Sequence, residues 1–116
     1  KKVCFLSVSL FFCLNNGYAQ LGTDPNDPLR YSDERHFRNI RQLTFGGDNA
    51  EAYFGYDNEH VVFQRTHAAK GVPCDQIFFG KIPTNPNDTF RYKLVSTGKG
   101  RTTCAYIMPD KKHVLY

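Results

Sequence analysis

The chain states one pattern twice. Residues 52–63 read AYFGYDNEHVVF and residues 105–116 read AYIMPDKKHVLY, with Ala52/Ala105, Tyr53/Tyr106, Asp57/Asp110, His60/His113 and Val61/Val114 in register at an offset of 53. A period of this size, apolar then turn then apolar, constrains the fold more than any composition figure. Each unit is one supersecondary element that cannot hide its apolar faces alone, so it must stack on a neighbour. Upstream the correspondence continues with a two-residue slip: RQLTF (41–45) lies over YKLVS (92–96), Leu43 on Leu94, at an offset of 51. One unit therefore runs from about Ala50 to about Thr97, and another is half stated when the sequence reaches Tyr116. The expectation is a fragment of a longer repeat protein, trimmed at both ends.

The first residues belong to another physical class. Lys1 and Lys2 precede an apolar and small run, Val3 to Leu14, followed by small residues at Gly17 and Ala19. A basic start, a short apolar core and small residues before a cleavable bond are the marks of a secretory signal peptide over 1–19, and the run is too short to span a bilayer. Cleavage is expected between Ala19 and Gln20. Lipidation at Cys13 is the minor alternative, disfavoured because Phe12 stands where a small residue is usual. The remainder holds all eleven acidic residues and all but two of the fifteen basic ones, interleaved along the chain. Such a mixed surface implies neither a nucleic-acid partner nor a polybasic membrane contact.

Residues 20–34 are rich in Pro and Asp with few apolar side chains, and read as an irregular linker. Beyond them come short β-rich runs (NIRQLTF, AEAYFGY, HVVFQRT, DQIFFGKI, YKLVST, CAYIM, HVLY) separated by turn clusters such as YDNE, PTNPND, TGKG and PDKK. No segment sustains a helical period, so the fold class is all-β with strands joined antiparallel in sequence. The inner runs are two-sided. Val61, Val62 and Phe63 are all apolar, as are Ile77 and Phe78, whereas a half-exposed sheet would alternate apolar with polar. Burial on both faces is the situation of a propeller blade, sandwiched between its neighbours.

On these residues the chain resembles a known family. The segment from Tyr53 to Phe63, with its partner MPDKKHVLY, is similar to the S-P-D-G-K-x-I-x-F hairpin of TolB-type, WD-like β-propeller repeats of exported bacterial proteins, and the resemblance extends over about 35–116. It implies the N-terminal part of a β-propeller: one complete four-stranded antiparallel blade and a partial second. The family glycine of the hairpin is absent from both copies, with Asn58 and Lys111 in its place. Asn tolerates the left-handed conformation the turn needs, whereas Lys costs about 1–2 kcal/mol there. Mapped onto a blade, strand a is Ala50 to Tyr56, b is His60 to Thr66, c is Asp75 to Ile82 and d is Arg91 to Thr97. The second blade starts with Thr103 to Met108 and His113 to Tyr116, and Asn39 to Phe45 matches an outer strand d belonging to the last blade.

Cys74, just before strand c, and Cys104, near the next strand a, would lie toward the same end of neighbouring blades. A disulfide between them is sterically allowed in an oxidising compartment, and two free thiols are the alternative. Metal is not expected, because no close-spaced ligand pair occurs, and neither is a cofactor. His60 and His113 occupy equivalent places after the hairpin turn, so their role is read as part of the repeat; His36 and His67 are isolated. The turn residues Asp57, Asn58, Pro109 and Asp110 are read as structural, with Asp bonding nearby backbone amides. No serine-nucleophile elbow, HExxH pair or phosphate loop is present, and Asn87-Asp88-Thr89 is a formal glycosylation acceptor in a turn-rich stretch. Two function classes follow. One is a non-enzymatic binding scaffold, periplasmic or secreted, whose partner is a protein, peptide or glycan of the cell envelope. The other is the propeller portion of a larger secreted hydrolase of the prolyl-oligopeptidase type.

Overall fold

The computed structural model describes residues 23–24 and 26–116; the expected signal segment, the Ala19–Gln20 bond and Cys13 lie outside the described residues. The chain divides into two compact units, residues 1–40 and 41–116. In the first, β1 (Thr23–Asp24) pairs antiparallel with β2 (Asp27–Tyr31). A short ladder, its register shifted between Thr23 and Asp24, thus lies within residues 20–34. Its surroundings are tied locally: the Tyr31 amide donates to Glu34 Oε2 at 2.8 Å and the Ile40 amide to Asp27 Oδ2 at 3.3 Å.

The second unit is built on one four-stranded antiparallel sheet, β3 (Asp48–Phe54), β4 (His60–His67), β5 (Val72–Lys81) and β6 (Arg91–Leu94), in the order of the sequence. A two-stranded antiparallel sheet follows, β7 (Tyr106–Ile107) with β8 (Val114–Leu115). The all-β reading and the sequential strand order hold. The strand ends move, for identifiable reasons. Along β3 the ladder passes from Ala50↔Gln64 to Tyr53↔Val62, so two residues oppose Phe63, and Glu51 takes up the extra one with φ 48°. This bulge re-aims the strand and lets Asp48 and Asn49 pair with Thr66 and Arg65. Gly55 and Tyr56, expected in the strand, enter the turn instead. β6 ends three residues early, because the Val95 and Ser96 amides both turn onto the Ile77 carbonyl (2.8 and 3.4 Å). Asn39 to Phe45 forms no strand in the described residues.

The sheet is apolar on both sides, as the two-sided runs require. One face carries Val61, Phe63, Phe78 and Phe90, with Leu43, Val72 and Ile82 packed against them. The other carries Val62 and Ile77, both fully buried, beneath Ala105, Ile107 and Val114 from the β7–β8 hairpin. The second repeat therefore stacks on the sheet of the first. At roughly 25 cal/mol per Å² of apolar surface, covering this face stabilises the unit. Phe63, Phe78, Phe90 and Tyr92 form an aromatic cluster with ring centroids 5.4–5.9 Å apart. Gly80 is required by this packing: a Cβ there would meet the Phe90 ring at 2.8 Å and the Arg91 carbonyl at 2.7 Å.

Candidate functional site in the repeated hairpins and the open sheet face

The repeat visible in the sequence is a repeat of backbone geometry. In the first hairpin the Gly55 amide donates to the His60 carbonyl (2.8 Å) and the Asn58 amide to the Gly55 carbonyl (3.0 Å). In the second, Met108 donates to His113 and Lys111 to Met108, each at 2.9 Å. Asn58 and Lys111 have φ of 56° and 57°. The same offset of 53 relates two further pairs of left-handed residues, Gly47 and Gly100 (φ 67° and 66°) and Glu51 and Cys104 (φ 48° and 55°). Left-handed backbone is costly for residues with a Cβ, so its recurrence at matched places marks a shared fold and not a shared composition. The Glu51/Cys104 pair had no sequence signal: neither residue is glycine and the two are unlike.

Each turn holds the same polar device. Asp57 Oδ1 accepts from the amides of Glu59 (3.0 Å) and His60 (3.1 Å), while its Oδ2 lies 3.0 Å from His60 Nδ1. Asp110 does likewise with Lys112 (2.9 Å), His113 (3.2 Å) and His113 Nδ1 (2.5 Å). The backbone amides of Glu59 and His60, with the His60 ring, hold the Asp57 carboxyl far below the usual carboxylate range. The Lys112 amide and the His113 ring lower Asp110 in the same sense. A carboxylate-oriented imidazole is chemically two members of a catalytic triad. Here it occurs twice in equivalent turns, and in the first copy the imidazole stacks on Phe79 (centroids 5.0 Å, 12° between planes). In both turns the Asp carboxylate and the His ring are bound to each other and the Asp to the turn's own amides, with Asn58 and Lys111 in left-handed backbone. Pro109 sits in the second turn, in the place of Tyr56; the Tyr106 hydroxyl donates to that of Tyr56 at 2.9 Å.

Both remaining cysteines are free. Cys104 is exposed, and its amide donates to Gln64 Oε1 at 3.3 Å. Cys74 is half-buried on β5, beside a cleft of about 120 Å³ shared with Gly98 and Gly100. The bridge considered between them is not formed in this structure. Among the described residues no cluster of three or more His, Cys, Asp or Glu could hold a metal ion, and no helix is long and apolar enough to cross a membrane.

What sequence reasoning missed are two buried polar side chains that face each other across β4 and β5, Arg65 and Gln76 (each 4% exposed). Gln76 Nε2 donates to the Gly100 carbonyl (2.8 Å), and its Oε1 accepts from Ser96 Oγ (2.7 Å) and the Gly98 amide (3.0 Å). Ser96 Oγ in turn accepts from the Ile77 amide at 2.9 Å. Arg65 Nη2 donates to the carbonyls of Phe45 (3.1 Å) and Gly46 (3.0 Å), Nη1 donates to the Tyr92 hydroxyl, and the guanidinium lies 5.2 Å from the centre of the Tyr92 ring. A buried polar group needs such partners to avoid a desolvation cost. Arg65 thus fixes the turn before the first unit, and Gln76 fixes the loop after it.

Among the described residues, an extended surface with the makings of a binding site is the sheet face not covered by β7–β8. It is only partly closed by the Leu43–Phe45 segment, which leaves an apolar groove of about 220 Å³ lined by Leu43, Ala50, Ala52, Val61, Phe63 and Phe90, among others. A more polar cleft of about 370 Å³, running from Arg41 to Phe45 and along Pro86 to Phe90, shares Leu43, Thr44 and Phe90 with it. Strand β3, which borders the groove, is exposed along its whole length, including Phe54 at 61%. No family model, curated protein or solved structure matches the chain.

Proposed function

We propose that this chain forms the first blade and the start of the second in a TolB-type, WD-like β-propeller, exported by its signal segment and serving as a non-enzymatic binding scaffold in the cell envelope. The observation that carries the reading is the stacked repeat: three pairs of left-handed residues 53 positions apart, with the second hairpin packed on the sheet of the first. The register also relates the two faces of the unit. Ala105, Ile107 and Val114, which cover the first sheet, are the counterparts of Ala52, Phe54 and Val61, and Ala52 and Val61 line the open groove. In a ring of such units the open face would be covered by the Val62- and Ile77-like residues of another blade. Ligands would then meet the loops at one end of the ring, so the partner is a protein, peptide or glycan recognised by loop surface.

The experiment is a crystal or electron cryomicroscopy structure of the full-length secreted protein. A closed ring in which another four-stranded unit buries Ala50 and Ala52, which are exposed on this face, is the expected result. A full-length structure with that face open to water, or with no further units of this register, would sink the proposal. Mass spectrometry of the mature N-terminus should read Gln20 first; retention of residues 1–19 or a lipid on Cys13 would refute the assigned route of export.

A further inference from the structure

The two hairpins touch through a pair of tyrosines that the repeat does not relate. Tyr56 lies in the turn after β3 and Tyr106 opens β7; the counterpart of Tyr106 is Tyr53, and that of Tyr56 is Pro109. Their rings meet edge to face, with centroids 6.1 Å apart and 87° between planes, and the Tyr106 hydroxyl donates to the Tyr56 hydroxyl at 2.9 Å. The neighbours of each hold them there. The Gly55 amide is bonded to the His60 carbonyl, and a Cβ on Gly55 would meet Ile107 Cδ1 at 3.2 Å. Ile107, next to Tyr106, is buried in one cluster with Val62 and Ile77, and the Met108 amide is bonded to the His113 carbonyl. Packed backbone thus brings the two phenols together, yet both rings remain open to water.

Exposure does not single out this pair, because the tyrosines among the described residues are all 38–60% exposed and an oxidant in solution reaches each of them. Contact does single it out. Among the described residues no other two tyrosine rings touch, the Tyr53 hydroxyl is bonded to Glu51, and that of Tyr92 to Arg65. A one-electron oxidant, such as a haem peroxidase supplied with hydrogen peroxide, takes one electron and the hydroxyl proton from each phenol. The two phenoxyl radicals then join by a carbon–carbon bond between the ring positions beside the oxygens, and the hydrogen on each of those carbons moves to its oxygen, restoring both hydroxyls. In sum, two phenols and one peroxide give one linked pair and two waters. In that product the two oxygens flank the new bond, the side-by-side placement that the 2.9 Å contact already holds. What remains is a rotation of the rings, which their exposure permits. Holding the reacting groups together in this way favours the intramolecular step over coupling between molecules.

We propose that Tyr56 and Tyr106 form an oxidative cross-linking site, at which peroxide-driven one-electron oxidation fastens the second hairpin to the turn of the first as a dityrosine. The link joins residues 50 positions apart, and closing a loop of that length removes freedom from the unfolded chain. The test uses the full chain at high dilution, its thiols first capped with iodoacetamide because cysteines compete for peroxide. Peroxidase and hydrogen peroxide should give a blue-fluorescent monomer lighter by two hydrogens, in which the tryptic peptides 42–65 and 102–111 are joined and fragmentation places the link on Tyr56 and Tyr106. Tyr56→Phe, which keeps the ring, should lower the yield of linked monomer at least about tenfold, whereas Tyr53→Phe, in the same peptide, should leave it unchanged. The linked monomer should also unfold at a higher urea concentration than the unlinked one. Absence of a linked monomer, a link that survives Tyr56→Phe, or equal losses in the two variants would overturn the site, and an unchanged urea midpoint would overturn the fastening.

Discussion

The hairpins at 53–63 and 106–116 share a turn and differ in almost everything around it. Both fold their Asp onto the same amides and the same imidazole nitrogen, and both put a residue with a Cβ into left-handed backbone. Yet Ile107 is 5% exposed whereas its counterpart Phe54 is 61% exposed, and the His60 side chain is 29% exposed against 76% for His113. The turn is a local property, set by Asp–amide bonds that close within four residues. Burial belongs to the stack: the first hairpin is part of the four-stranded sheet, and the second packs on one face of it. A sequence repeat therefore guarantees equal turns without guaranteeing equal surroundings.

The sharpest test of this contrast is truncation at the matched positions. Ile107→Ala should cost about 2–5 kcal/mol in urea unfolding, because it empties a packed contact with Val62 and Ile77, whereas Phe54→Ala should cost less than about 1 kcal/mol. Equal losses would mean that β3 is covered and that the contrast is false. Gly47 and Gly100 come next. Both are left-handed, but a Cβ on Gly47 would lie 2.2 Å from the Thr66 carbonyl, while one on Gly100 meets nothing within 4 Å. Gly47→Ala should then cost about 3 kcal/mol and Gly100→Ala about 1 kcal/mol, conformational strain alone.

The turns themselves differ by one residue type. Lys111→Gly should stabilise the second hairpin by up to about 1 kcal/mol, while Asn58→Gly should change little, since Asn already accepts αL backbone and Gly adds unfolded-state entropy. A gain at Asn58 as large as at Lys111 would remove the distinction. The smallest expected effect is on acidification. Both Asp carboxyls are lowered in the folded chain. A group depressed by folding contributes stability that is present above the unfolded value of about 4 and is lost as pH falls below it. Carbon-13 titration of the carboxyls should show Asp57 holding its charge to lower pH than Asp110, whose side chain is 48% exposed against 18%. Reversal of that order would contradict the tighter seat assigned to the first turn.

Most of the sheet was legible because its signals are local. The runs HVVFQRT and QIFF state their own two-sided burial, and the Asp-x-x-His turns state where strands reverse. The strand ends were not legible, since they depend on a bulge at Glu51 and on loop amides that turn onto Ile77. Arg65 and Gln76 were hidden for another reason. In sequence they are unremarkable polar positions in strands, and only the folded pairing puts both below 5% exposure with carbonyls and amides converging on them. His67 read as isolated because its partner is Arg65, two residues away on the same strand, and only the folded strand brings the two side chains together.

Arg65 and Gln76 have a consequence beyond this molecule's stability. They are directly paired across β4 and β5, and one grips the turn that leads into the unit while the other grips the loop that leads out. The joints are thus specified from inside the sheet and not by whatever precedes or follows it. A segment that carries its own hinges can be copied, lost or moved by recombination without its neighbours having to be redesigned.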